Sequence, residues 1–287
     1  MKPTLARLAC VTLLLSSLGA DAQTCSPPAG LKDETDPARI QRLAVELLPC
    51  LASPDPRLRD ELAFEQLFTW ARGDKLTPTT LQRMRADLVA ALDAPPDAAG
   101  VHQPFAALTL AEVTRADRLK PFLSAEQRAD LVDHAVQFLA RVRDYRGFTP
   151  GEGWRHGVAH GADFALQLGM NDMLATAQRR RLLEAVSAQV MADHHHAYRF
   201  GEGARLARAA LQLQLRLRPD AADWQAWLDG LLLPLKQAKG WDEAALTDLH
   251  NLREFLWPLL AGVLDLDDAA RREAWLAPLQ KTLRRLG

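Results

Sequence analysis

Cysteine is nearly absent from this chain. Cys10, Cys25 and Cys50 are the three present in 287 residues, which excludes a disulfide-dense scaffold and any Cys-x-x-Cys zinc or redox pair. Tyrosine occurs twice and aromatics make up 6%. No stretch alternates β-branched and polar residues as half-buried strands do, which leaves an all-α reading. Charge of one sign is missing too: 35 Lys and Arg face 36 Asp and Glu. Without a net field, nothing draws the chain to nucleic acid, and the Arg179-Arg180-Arg181 run reads as a solvated helix face. There is no Gly-x-Ser-x-Gly elbow, no Ser-His-Asp order and no phosphate-cradling glycine loop. Past the N-terminus no run reaches the roughly 20 apolar residues of a membrane span.

The one long apolar run lies at the start. Lys2 and Arg7 precede an apolar stretch from Leu8 to Leu18, and Ala20-Asp21-Ala22 offers a small-x-small cleavage site. These are the parts of a secretory signal peptide over residues 1–22, and they predict an exported, periplasmic protein. Neither Cys10 nor Cys25 follows a lipoprotein-type run of small residues. In an oxidising compartment Cys25 and Cys50 are expected to form one disulfide, which stabilises by about 3 kcal/mol for a loop of this length. Residues 23–35 then form an N-terminal arm, and 36–287 a single helical-repeat domain.

Helix starts are well marked. Asp36-Pro37, Asp55-Pro56, Thr77-Pro78, Ser124 with Gln127, Asn171, Pro219-Asp220 and Asp267 carry polar caps, a proline at the first helical position, or a capping box. From Asp36 through Thr77, Ser124, Asn171, Pro219 and Asp267 the intervals are 41, 47, 47, 48 and 48 residues. Each interval holds two helices, the second starting near Asp55, Gly100, Gly153, Gly201 and Asp242. About eleven helices in stacked antiparallel pairs follow, either a HEAT/armadillo-like α-solenoid or an α/α toroid.

Between Arg143 and Asp163 the chain is densest in unusual chemistry. His156, His160 and Asp163 fall at i, i+4 and i+7, one face of a helix, with Gly153, Gly157 and Gly161 on a neighbouring face. Three glycines in register predict close approach by a helix or ligand. Two imidazoles on adjacent turns with Asp163 have the spacing to hold a divalent metal such as zinc. The same histidines, buried and hydrogen-bonded to Asp144, Asp163 or loop carbonyls, are the structural alternative. Glu152, Asp163 and Glu202 are candidate acids and bases, and Trp154 beside Tyr145 and Trp70 a platform for a sugar ring. If the pairs stack in parallel, Arg59, Asp60, His102, Gln103, His156, His160, Glu202 and Arg205 line one edge, where Arg155 adds charge; Tyr145, Arg146 and Trp154 join them as candidate ligand-binding residues. Helix N-termini converging there favour an anion. His194-His195-His196 reads as a solvated connection, and His134 and His250 as ordinary helix residues.

Several blocks carry a family resemblance. They are Leu58-Arg59-Asp60-Glu61-Leu62-Ala63 with Trp70, Phe105-Ala106-Ala107-Leu108, Asp144-x-Arg146-Gly147, and Gly153-Trp154-x-His156-x-x-Ala159-His160-Gly161-Ala162-Asp163. Glu202-x-x-Arg205-Leu206-Ala207 completes them. Together they resemble the bacterial family named "domain of unknown function 2785", from roughly Arg59 onward. The resemblance implies an all-helical, repeat-like domain without an assigned activity. Where that family tends to have Arg-Ser-Phe-Ser, this chain has His102-Gln103-Pro104-Phe105. Three functions remain open: binding of a polar or anionic small molecule, glycan or protein in the edge groove; a hydrolase or lyase acting on cell-envelope glycan or peptide; and a purely structural scaffold.

Overall fold

The computed structural model describes Cys25, residues 30–191, 193–237 and 240–286, with the backbone alone at His194. The expected signal peptide, residues 1–22, lies outside the described residues, as do 23, 24 and 26–29 of the expected arm. Cys25 and Cys50 form the expected disulfide.

The described residues fold as helices with one small hairpin. They are α1 (Pro37–Glu46), α2 (Pro56–Leu58), α3 (Glu65–Arg72), α4 (Pro78–Asp93), α5 (His102–Leu119), α6 (Ala125–Arg141), α7 (Gly157–Gly169), α8 (Thr176–Ala188), α9 (Glu202–Leu217), α10 (Ala221–Leu231), α11 (Leu233–Gln237), α12 (Glu243–Leu264) and α13 (Ala269–Arg284). A π-helical turn, Arg59–Phe64, joins α2 to α3. β1 (Phe148–Thr149) and β2 (Gly153–Trp154) pair antiparallel, Phe148 opposite Trp154. With α2 and α11 only three and five residues long, the expectation of about eleven helices holds for the longer ones.

Most caps act where the sequence puts them. Asp36, Asp55 and Thr77 accept from backbone N–H groups two or three residues on, and Ser124 and Gln127 close a full capping box. Asp267 misses by one residue, Asp268 being the cap of α13, and Asn171 is the larger exception. Helix α8 starts five residues later, at Thr176, because the Asn171 side chain is drawn inward to donate to the buried Asp117 at 2.9 Å. Asp117 also accepts Arg128 Nε at 2.7 Å and the N–H groups of Phe122 and Leu123. One buried carboxylate thus ties the α5–α6 turn to the end of α7.

Packing follows two rows. Helix α5 lies on α7, α7 on α9 and α9 on α12, while α4, α6 and α8 form a second row, each also contacting the helix that follows it in sequence. This is the stack of helix pairs that the spacing predicts. Small residues let the helices close up, both between the rows and within the inner one. A Cβ on Gly161 would meet Leu139 at 2.6 Å, and one on Gly203 would meet the Glu254 carbonyl of α12 at 2.6 Å. One contiguous apolar cluster runs from Leu31 to Leu286.

Candidate functional site

The helix expected from Gly153 begins only at Gly157. Gly151 and Gly153 adopt φ of 81° and 75°, left-handed values that turn the chain into the hairpin. The hairpin continues through Arg155 N–H to Gly147 O at 2.9 Å and His156 N–H to Arg146 O at 3.1 Å. His156 therefore sits before α7, with φ 53° and ψ 36°, a conformation costly for a non-glycine residue. The glycine stripe is corrected accordingly. Gly153 belongs to β2, where a Cβ would fall 2.5 Å from Pro56 Cβ and 2.8 Å from both Arg59 Nη2 and Asp60 Oδ2.

Arg59 and Asp60 explain that crowding. Arg59 is 0% exposed. It donates to the carbonyls of Ser53 and Glu152 at 2.9 Å and of Trp154 at 3.2 Å, lies over the Phe105 ring, and pairs with Asp60 at 2.6 Å. Asp60 accepts the Trp154 N–H at 3.3 Å. Arg59 therefore holds the hairpin from behind and exposes no surface on the expected groove wall. Burial raises the Asp60 carboxyl above its ordinary value against the pull of Arg59.

In front of the hairpin lies a compact polar centre. Glu202, the first residue of α9, is buried and accepts the Phe200 N–H at 2.9 Å. His156 Nε2, also buried, faces Glu202 Oε1 at 3.5 Å without an aligned hydrogen bond. Burial pushes Glu202 up, but His156 and the backbone N–H groups of Glu202 and Phe200 outweigh that and hold it below the usual carboxylate value. The His156 ring stacks on Trp154 at 4.8 Å, and Trp154 meets Phe148 at 5.2 Å and Phe200 at 6.1 Å. These three outer rings are 37%, 42% and 42% exposed, so the pair sits at the base of an open aromatic wall.

The remaining expected residues divide. His160 is buried, its Nδ1 donating to Pro104 O at 3.2 Å. Burial, with His156 and Arg205 nearby, drives it far below the ordinary histidine value. Asp163 is bound by both ends of Arg205, Nε to Oδ1 at 2.9 Å and Nη2 to Oδ2. With its oxygens so engaged, Asp163 does not join the histidines, and among the described residues no three His, Cys, Asp or Glu gather as a metal site. Glu152 pairs with Arg155, which also donates to Ala99 O, and Arg146 pairs with Asp144.

Two expectations about surroundings are corrected. Trp70 is buried in the core on the same face of α3 as Leu67. Tyr145 is also buried, stacking on His196 while its hydroxyl accepts the Asp193 N–H. Neither joins the aromatic wall; Phe148 and Phe200 do, and no helical spacing marks them. The histidine run is not idle either, since His195 pairs with Asp248 at 3.0 Å. At the edge, the N-termini expected to receive an anion are partly filled from within. Asp97 accepts the N–H groups of Val101 and His102, and Glu202 occupies the start of α9.

No curated protein and no solved structure matches the chain. A family model, Protein of unknown function (DUF2785), matches residues 88–260. That span includes the Phe105, Asp144–Asp163 and Glu202 blocks but not the Arg59–Trp70 block, so the match begins later than the resemblance implies. The chain, with its helix pairs and its Gly-Trp-x-His hairpin, belongs to this family.

Proposed function

We propose that the protein is an exported helical-repeat binding protein whose ligand lies flat on Trp154, Phe148 and Phe200 and turns a polar group toward His156 and Glu202. The observation that carries this reading is the open aromatic wall around a buried, incompletely hydrogen-bonded His–Glu pair. Exposed rings beside a polar centre suit a sugar, which has apolar faces and a hydroxyl rim. A cell-envelope glycan or glycopeptide is the class that fits, and the Cys25–Cys50 disulfide supports the oxidising compartment that export implies. Arg155, His160, Asp163 and Arg205 support the wall and its base.

A hydrolase or lyase on the same material is the second reading. Asp60 and Glu202 both reach the Trp154–His156 segment, one carboxyl pushed up and the other down, as acid and base pairs require. Titrating the exported protein calorimetrically with N-acetylglucosamine oligosaccharides and peptidoglycan disaccharide-peptides tests both. Saturable binding is expected, at least tenfold weaker in Trp154→Ala and unchanged in Met173→Ala, an exposed position beyond the C-terminal end of α7, the end opposite His156. Equal loss in both variants, or no binding by any probe, overturns the binding reading. Probe cleavage that disappears in Glu202→Gln establishes the enzyme.

A further inference from the structure

A cavity of about 260 Å³ is lined in part by Asp144 and Arg146, and Phe148, Trp154 and Phe200 are not among its walls. Its walls come from the 96–100 connection, the start of α5, the end of α6 and Gly157, the first residue of α7. Phe138, Val142, Pro104 and Pro96 supply apolar surface, while Arg141, Arg143, Arg146, Asp97 and Asp144 supply charge.

Counting which of these charges are already used decides what the cavity takes. Asp97 is spent on the Val101 and His102 N–H groups. Asp144 is spent on Arg146, whose guanidinium offsets the effect of burial and keeps the carboxyl below its ordinary value. Arg143 pairs with Asp193, outside the lining. Among the described residues Arg141 has no ion pair or hydrogen bond from its side chain, and it is exposed at the rim. The N-cap of α7, beside Gly157, supplies no side-chain acceptor, so the positive end of that helix dipole also bears on this wall. Among the lining side chains Arg141 is the cation left without an anion, while both carboxylates already accept from donors of the protein.

We infer that this cavity binds a small monocarboxylate with an aromatic or branched apolar body, its carboxylate held at the rim by Arg141 and its body against Phe138, Val142 and Pro104. The volume fits the inference, since a dry cavity of about 150 Å³ accepts benzene and this one leaves room for a ring with a substituent. Guanidinium forks match the planar carboxylate, which neither a neutral amide nor a cation reproduces. The site stands apart from the aromatic wall and does not depend on what that wall binds.

The test is calorimetry or ligand-observed NMR on the exported protein with benzoate and phenylacetate, and with benzamide and phenylacetamide as neutral isosteres. At low ionic strength the carboxylates are expected to bind one to one, at least tenfold tighter than the amides. Arg141→Glu lies on the surface and should abolish the preference without changing the circular dichroism spectrum, whereas Trp154→Ala should leave it intact. Equal affinity for acids and amides, no binding up to millimolar concentration, or full retention in Arg141→Glu would each overturn the inference. Should Arg141→Glu fold poorly, the acid-against-amide comparison on the unaltered protein still decides.

Discussion

At the scale of single residues, His160 shows how burial turns an ordinary side chain into a pH-sensitive one. Its imidazole is held far below the ordinary histidine value by burial and by the cations around it, and burial lowers His102 in the same direction. In the unfolded chain both protonate near pH 6.5, in the folded protein only at lower pH. Stability is therefore present in full above about pH 6.5 and is lost as pH falls toward the folded values, by up to about 1.4 kcal/mol per pH unit for each histidine. Glu202, lowered in the fold, adds a loss of the same sign below about pH 4.5, its carboxyl protonating sooner in the unfolded chain. Melting temperature recorded between pH 7.5 and 5 should drop, and His160→Gln, which can still donate to Pro104 O, should flatten part of that drop. An unchanged profile in the variant would show that His160 titrates alike in the folded and unfolded chain.

At the scale of elements, the hairpin exists because the π-helical turn at Arg59–Phe64 presents Arg59 to its carbonyls. A π-turn shifts the helix register by one residue and commonly marks a functional site. Arg59→Ala removes three carbonyl contacts and leaves Asp60 half-buried without its cation, an expected loss of about 3–5 kcal/mol. Denaturant midpoints measure that loss, and amide exchange at Trp154 should accelerate by more than the global change alone explains. Uniform acceleration across the chain would place Arg59 in the general core and not at the hairpin. This linkage was only partly legible in the sequence. Arg59, Asp60 and the Gly153–His156 block are recognisable as a recurring set, but their mutual contact spans more than ninety residues and follows from how α2 packs against the hairpin. The register of His156 was misread for a related reason, since periodicity cannot show that two left-handed glycines and a short strand pairing will outcompete one more helical turn.

At the scale of the whole molecule, a stack in which each helix pair touches its neighbours predicts that damage stays local. Trp224 and Trp275 stack at 4.4 Å between α10 and α13, at the far end from the hairpin. Trp275→Ala should cost about 3–5 kcal/mol, yet leave Trp154-dependent binding unchanged at a temperature where the variant stays folded. Loss of both together would mean the stack folds and signals as one unit. What the sequence determined alone was local and periodic: most of the caps, the helical character, the interval of helix pairs and the disulfide. Those depend on neighbouring residues and on hydrophobic spacing, which are written along the chain. Tertiary structure alone decided that Asp163 goes to Arg205, that Glu202 goes to His156, that Trp70 is core while Phe148 and Phe200 line the wall, and that Arg141 stands over a cavity. Each of these is a choice among partners far apart in sequence. It is settled only when burial makes an unpaired charge costly and the packed helices leave a single partner within reach.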